Sequence, residues 1–160
     1  MELTDQSSDL VRLKVHGVVT DPNTETRIVI LKDEQNAEVI LPIWVGMAEG
    51  LAIELALAGT VTPRPMSHDL IRNLAEHLDV KVGRVVVTDV RNNTYYASIY
   101  LQARETERVV DARPSDAIAL ALRTSSPIYV THEVLKRRGG ANLDAWLDRL
   151  DTKNFGKYEV

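Results

Sequence analysis

The stretch "VVDARPSDAIALALR", residues 109–123, joins a strand-like run to a helix made almost wholly of Ala, Ile and Leu. The residues between the two are charged, polar or cyclic: Asp111, Arg113, Pro114, Ser115 and Asp116. Pro suits the first helical turn because its missing N–H is not needed there, and Ser accepts a bond from an unpaired N–H. The helix, predicted over about 115–123, is apolar on most sides, so we expect it to be buried. A buried helix directly after a strand indicates a sheet covered by helices.

The rest of the chain supports that class, because runs of strands alternate with single or paired helices. The predicted strands cover 10–20, 27–33, 37–46, 107–112 and a short run from 126, and 81–105 forms a predicted hairpin around "RNNT". The predicted helices cover 47–59, 67–78, 115–123 and a segment running toward "KRR", residues 136–138. This order predicts an α+β fold, with a mixed, mainly antiparallel sheet and helices packed against it in a single domain.

Two predicted helices differ in pattern. Helix 47–59 has only Glu49 and Glu54 as charges, which predicts that most of its surface is buried. Helix 67–78 is apolar on one face only: Leu70, Ile71, Leu74 and Leu78. In the strand before helix 47–59, Pro42 predicts an edge or a bulge, because Pro cannot donate to a ladder.

Three segments are predicted along the chain: a flexible N-terminus over 1–9, the folded domain over 10–135 and a helical extension over 136–160. Along the extension, Leu143, Trp146, Leu147 and Leu150 fall on one helical face, so we expect it to dock on the body or on a partner.

Composition restricts the class of protein. A length of 160 residues with 44% hydrophobic and 26% charged residues is typical of one globular domain. The absence of Cys excludes disulfides, thiolate zinc sites and a Cys nucleophile. The first twelve residues lack a signal-peptide pattern and the apolar stretches are too short to cross a bilayer, so we expect a cytoplasmic protein without membrane contact. The formal net charge of −4 disfavours a non-enzymatic nucleic-acid-binding module, but counts less against an enzyme.

Two junctions share the order Arg-Pro, Ser, Asp at the start of a helix: "TPRPMSHDL", residues 62–70, and "DARPSDAI", residues 111–118. One interpretation is structural: the junctions are capped helix starts, in which Arg64 and Arg113 pair with Asp69, Asp111 or Asp116. Glu49, in the first turn of predicted helix 47–59, is interpreted as a partner of the helix dipole. Trp44 is interpreted as a core residue.

The same junctions also suit phosphate chemistry. A helix start beside an Arg is typical of phosphate sites, so Arg64, Ser67, Arg113 and Ser115 are candidate phosphate ligands. Asp111 and Asp116 are candidate ligands of Mg²⁺ or Mn²⁺, with Asp69 as a third. Imidazole changes charge near neutral pH, which makes His68 a candidate proton-transfer group. The candidate catalytic residues are therefore His68, Asp69, Asp111 and Asp116.

The chain resembles the bifunctional nuclease domain family from about residue 10 to 135. The resemblance rests on "LPIWVGMAEGLAIELALAG", "TPRPMSHDLI", "RVVVTDVRNNTYYASIYL" and "DARPSDAIALALRTSSPIYV" in that order and spacing. It implies an α+β domain, hydrolysis of RNA, DNA or both, and a homodimer in bacterial members.

Two functional hypotheses remain open. In the first, the chain is a nuclease, possibly metal-assisted, and the two junctions form its site. In the second, it is a non-enzymatic dimeric scaffold or small-anion-binding regulatory domain, and the junctions are structural latches. Convergence of the junctions in an open cleft favours the first, and burial with full internal pairing favours the second.

Overall fold

The computed structural model describes residues 9–36 and 38–139 of the chain. The strands in these residues are β1 (Leu10–Thr20), β2 (Arg27–Lys32), β3 (Ile40–Val45), β4 (Val80–Arg91), β5 (Thr94–Ala103), β6 (Thr106–Ala112) and β7 (Ile128–Thr131). The helices are α1 (Met47–Leu57), α2 (Ser67–His77), α3 (Pro114–Thr124) and α4 (His132–Arg138). The elements match the predicted ones in type and order, and the α+β class is confirmed.

The strands form one mixed sheet in the order β3-β2-β1-β7-β4-β5-β6. Neighbouring strands pair antiparallel, except that β7 pairs parallel with β4. The parallel pair follows from the path of the chain, because α3 leaves β6 at one edge and returns to β7 in the middle of the sheet. On the way α3 packs over β4 and β5. The crossing therefore carries the second predicted junction, at the start of α3, onto the helical face of the sheet.

Two local predictions about strands are confirmed. Asn92 and Asn93 form the tip of the β4–β5 hairpin with φ of 49° and 63°, as the Asn-Asn pair predicts. Pro42 lies in β3, which is an edge strand, so its missing N–H removes no bond from the middle of the sheet.

The core lies between the sheet and α3, as predicted for that helix. Residues 114, 115 and 117–121 of α3 are all buried, and α1 and α2 pack against α3. Trp44 is buried as predicted, and its indole Nε1 donates to Asp21 at 3.1 Å.

The prediction that α1 is mostly buried is wrong. Met47, Leu51 and Leu57 are exposed, and only Gly50, Ala52 and Ile53 of α1 are fully buried. The small number of charged residues in α1 therefore did not indicate which side of the helix faces the core.

Beyond Gly139 the predicted helical extension lies outside the described residues, as do residues 1–8 of the predicted flexible N-terminus. Among the helices of the described segments, none combines the length and the apolar character that a membrane crossing needs.

Candidate active site at three helix starts

The two predicted junctions meet. The first begins α2, where Met66 is the N-cap and its N–H donates to Asp69 Oδ2 at 2.9 Å. The second begins α3, where Arg113 is the N-cap and Pro114 the first helical residue. Because α2 packs across α3, side chains from the two starts come within hydrogen-bonding distance.

His68 and Asp116 form the contact between the junctions. The Nε2 atom of His68 lies 2.9 Å from Asp116 Oδ1. His68 is buried, at 9% exposure, whereas Asp116 keeps about a third of its side chain accessible. The two residues are 48 positions apart in the sequence, so this is a tertiary contact and not part of either helix cap.

Arg113 extends the contact into a chain of four side chains. Its Nε donates to Asp116 Oδ2 at 2.9 Å and its Nη2 to Asp116 Oδ1 at 3.2 Å, which is a bidentate pair. Its Nη1 donates to Glu49 Oε1 at 3.1 Å, and Glu49 lies in the first turn of α1. The chain Glu49–Arg113–Asp116–His68 therefore links the starts of α1, α3 and α2, and we call it the junction cluster.

The charges of the junction cluster stabilise one another. Burial alone would raise the pKa of Asp116, but hydrogen bonds from Arg113 and His68 outweigh it and hold the pKa below 3.8. The same contacts with Asp116 raise the pKa of Arg113 above its ordinary value. Asp116 is therefore an ionised acceptor at neutral pH, and it fixes the orientation of the imidazole.

Asp69 points away from this cluster and has a different partner. Its Oδ1 accepts from Arg123 Nε at 2.8 Å, and Arg123 also donates to the carbonyl oxygens of Ala119 at 2.9 Å and Ala52 at 3.0 Å. The side chain of Arg123 is only 6% exposed. This buried guanidinium ties α2, α1 and the last turn of α3 together, beside an open cavity of about 350 Å³ lined in part by Arg72.

We expect acid to destabilise the fold through these two carboxylates. Burial would raise the pKa of Asp69, but the Met66 N–H and Arg123 lower it below 3.8 overall, as for Asp116. A carboxyl whose pKa is lowered by folding stabilises the protein fully above its unfolded pKa, and this is lost as the pH falls through the folded pKa. The free energy of unfolding in urea should therefore be level above about pH 5 and fall below about pH 4.

The variant Asp69→Asn should show a shallower fall with acid than the parent chain. Asp79→Asn is the matched control, because Asp79 is exposed and has no side-chain ion pair among the described residues. Equal acid dependence in Asp69→Asn and the parent would contradict the assignment.

The sequence is similar to those of known proteins. A family model described as the bifunctional nuclease domain matches residues 29–142. The chain belongs to the bifunctional nuclease domain family. An uncharacterized protein of Mycobacterium tuberculosis is 41% identical over 127 residues, which cover 79% of this chain and 75% of that protein.

Plant proteins are also similar. Bifunctional nuclease 1 of Oryza sativa subsp. indica is 30% identical over 114 residues, covering 69% of this chain and 34% of its own length. Bifunctional nuclease 2 of Arabidopsis thaliana is 30% identical over 105 residues, covering 64% of this chain and 32% of its own length. The domain therefore spans about a third of each of these plant relatives.

The other predicted site residues of this bifunctional nuclease domain make no side-chain hydrogen bond or ion pair with the junction cluster in the part of the chain that the structure describes. Arg64 and Ser67 are exposed before and at the start of α2, and Arg64 has no ion pair with a described residue. Ser115 is buried in the first turn of α3. Asp111 is exposed on the edge strand β6, opposite Ser98, and has no side-chain partner among the described residues.

The predicted divalent cation does not fit this arrangement of the domain. Both carboxylate oxygens of Asp116 already accept from Arg113, and Oδ1 also contacts His68. Across residues 9–36 and 38–139, no group of three or more His, Asp or Glu side chains is placed to hold a metal ion. Binding of Mg²⁺ or Mn²⁺ by Asp111 and Asp116 stays a prediction, and it would require Arg113 to move.

Two residues of the site were missed or given another role. Glu49 was interpreted as a dipole partner, and it also binds Arg113 across 64 positions. Arg123 was not singled out, and Asp69 pairs with it instead of with Arg64. The available signal was that Arg123 is the one cation in the apolar run "AIALALR", where a buried charge needs a partner.

Proposed function

We propose that this domain is a phosphodiesterase that hydrolyses nucleic acid, RNA or DNA, and that His68 transfers the proton. The observation that carries the proposal is the His68–Asp116 contact, which joins the two specific motifs of a family that includes plant bifunctional nucleases. Membership of the family supports the class of reaction, and the contact selects the residues.

The contact suits general acid–base chemistry. An ionised Asp116 at Nε2 favours the neutral tautomer with its proton on that nitrogen, which leaves the Nδ1 lone pair as a base. Hydrolysis adds the oxygen of a water molecule to phosphorus and breaks one P–O ester bond. The base accepts a proton from the water, and a proton ends on the leaving oxygen. His68 in the cluster is the described side chain best arranged for that transfer.

Phosphate binding needs positive charge beyond the junction cluster. Arg113 contributes one positive charge and Asp116 and Glu49 contribute two negative charges, so these three side chains carry a net charge of −1. We assign the additional charge to Arg64, whose exposed guanidinium has no ion pair with a described residue. Ser67 is exposed in the next turn and adds a hydroxyl donor, while Arg113 keeps 61% of its side chain accessible. Together they would orient one phosphate at the start of α2.

The test of the activity is hydrolysis of defined RNA and DNA oligonucleotides by the purified full chain. We expect cleavage that persists in a chelator, because both carboxylate oxygens of Asp116 already accept hydrogen bonds from Arg113. Loss of cleavage in EDTA with recovery in Mg²⁺ or Mn²⁺ would contradict a metal-free mechanism. It would instead support the prediction that Asp111 and Asp116 bind a divalent cation. No cleavage under either condition would contradict the proposed activity itself.

The latch hypothesis is the second candidate, and the pairing of Arg123 favours it. Arg123 is buried and its contacts with Asp69 and two carbonyl groups join three helices, as a latch would. Each hypothesis fits a different part of the motifs. Asp69 has the contacts of a structural residue, whereas His68 and Asp116 have the contacts of a reactive pair. A scaffold without activity predicts that substitutions at both sites change stability alone.

A further inference from the structure

Helix α2 turns its polar side toward the protein and its apolar side toward solvent. His68 is the buried residue of the helix, and Asp69 and Arg72 are partly covered. The contacts of these residues with Asp116 and Arg123 on α3 hold that orientation. Two charged residues of α2 therefore line the cavity beside Arg123. The predicted apolar face of α2 is confirmed, and its four residues are exposed: Leu70, Ile71, Leu74 and Leu78.

The cavity has the size and the lining of a small-molecule site. Its volume of about 350 Å³ lies in the range of such sites, about 300–1,000 Å³. Its apolar walls come from α1, from the loop that follows α1 and from α3, through Leu55, Val61 and Leu122. That loop begins at Gly59, whose φ of 65° ends α1 in the left-handed conformation. Apolar walls with a few charged groups among them are typical of a ligand site.

The charged groups of the cavity favour an anion. Arg72 and Arg123 contribute two positive charges and Asp69 one negative charge, so these three lining residues carry a net charge of +1. Arg123 is only 6% exposed and is fixed by its contacts with Asp69 and two carbonyl groups. Arg72 makes no hydrogen bond or ion pair with a described residue, although its charge helps to lower the pKa of Asp69. The guanidinium of Arg72 is therefore available to a ligand.

The side chains that line the cavity offer more hydrogen-bond donors than acceptors. Arg72 has five N–H groups and Thr60 has a hydroxyl group, while both oxygens of Asp69 already accept from Arg123 or from the Met66 N–H. A phosphate monoester carries about −1.5 to −2 charges at neutral pH and has three strong acceptor oxygens. It can therefore use more of these donors than a carboxylate can, and the apolar walls suit a group attached to the phosphate.

We propose that this cavity binds a nucleotide through its terminal phosphate, with Arg72 and Arg123 as the phosphate ligands. Neither Arg64 nor any residue of the junction cluster lines the cavity, so the proposal does not depend on hydrolysis at His68. The phosphate has two sources with the same chemistry, a free mononucleotide and the phosphorylated end of a strand.

The first test is calorimetric titration of the full chain with adenosine 5′-monophosphate, which has no phosphodiester bond and reports binding alone. We expect saturable binding, and we expect Arg72→Met to raise the dissociation constant by about tenfold or more, as for the loss of charged hydrogen bonds. Adenosine, which lacks the phosphate, should bind much more weakly. Arg108→Met is the matched control, since Arg108 is exposed on β6, has no ion pair with a described residue and does not line the cavity.

Arg64→Met, in the same titration, separates the cavity from the start of α2. Loss of binding in Arg64→Met but not in Arg72→Met, equal affinity for adenosine and its monophosphate, or no saturable binding would overturn the proposal. Circular dichroism checks that each variant is folded. A chain that binds the nucleotide but cleaves no oligonucleotide would contradict the proposed hydrolysis and support the cavity as a separate site.

Competition identifies the source of the phosphate. An oligonucleotide with a 5′-phosphate that displaces the mononucleotide, when the same oligonucleotide with a 5′-hydroxyl does not, would support the end of a strand as the ligand. Displacement by neither oligonucleotide would support a free mononucleotide. Equal displacement by both would show that the terminal phosphate is not recognised, and would overturn the proposal.

Discussion

Replacing His68 by Gln should lower the rate of phosphodiester hydrolysis by about 10²–10⁴-fold, the range that general acid–base groups contribute. The amide nitrogen of Gln can still donate to Asp116 Oδ1, where Nε2 of His68 now lies at 2.9 Å. Gln supplies no base with a useful proton affinity, so the packing contact is kept and the proton transfer is removed. The measurement is the single-turnover cleavage rate of a labelled oligonucleotide.

His77→Gln is the matched control for that variant. His77 lies at the other end of α2, is exposed and is not part of the junction cluster. We expect its rate to equal that of the parent chain, when all three proteins are purified in parallel to expose any contaminating nuclease. A rate for His68→Gln within about threefold of the control would remove His68 from the mechanism.

Replacing Arg123 by Met should destabilise the fold strongly, because it breaks a buried ion pair on one side. Met fills much of the same volume, but it leaves the Asp69 carboxylate and two carbonyl groups without their donor. Breaking a buried ion pair on one side costs about 3–5 kcal/mol, and we expect the lower end because Asp69 is partly exposed. The measurement is the free energy of unfolding from urea titration.

The controls separate the loss of the pair from the loss of packing. Arg72→Met removes a cation that lines the same cavity but has no ion pair with a described residue. This substitution should lower the free energy of unfolding by less than about 1 kcal/mol. Adding Asp69→Asn to Arg123→Met should recover part of the loss, because the uncompensated charge is then gone. A cost below about 1 kcal/mol for Arg123→Met would show that Asp69 and Arg123 do not hold the helices together.

The fold was largely predictable because its signals are local. Period-two runs set the strands, and the Asn92–Asn93 turn set the hairpin. The position of a strand within the sheet and the side of a helix that faces the body depend on tertiary geometry, which local signals do not give. The alternation of strands does not say that β7 enters the middle of the sheet, and the apolar face of α2 does not say which side meets the body. In α2 two polar contacts with α3 outweigh four apolar residues.

The residue types of the site were predictable from the sequence, but most of the hydrogen-bonding partners of those residues were not. The two Arg-Pro motifs marked the segments that meet, and the contact between Arg113 and Asp116 follows from their spacing within one helix start. The partners across 48, 54 and 64 positions could not follow from spacing, since only the crossing of α2 over α3 and the packing of α1 bring them together. Asp69 therefore has a partner that the sequence alone did not indicate.

One paired measurement tests whether His68 and Asp116 form a reactive site or a structural latch. It records the cleavage rate per folded molecule and the urea midpoint for the parent, His68→Gln and Asp116→Ala, all assayed on the same RNA and DNA. We expect both variants to lose cleavage while most of each preparation remains folded. Cleavage that persists per folded molecule, with stability lost in both variants, would contradict that expectation.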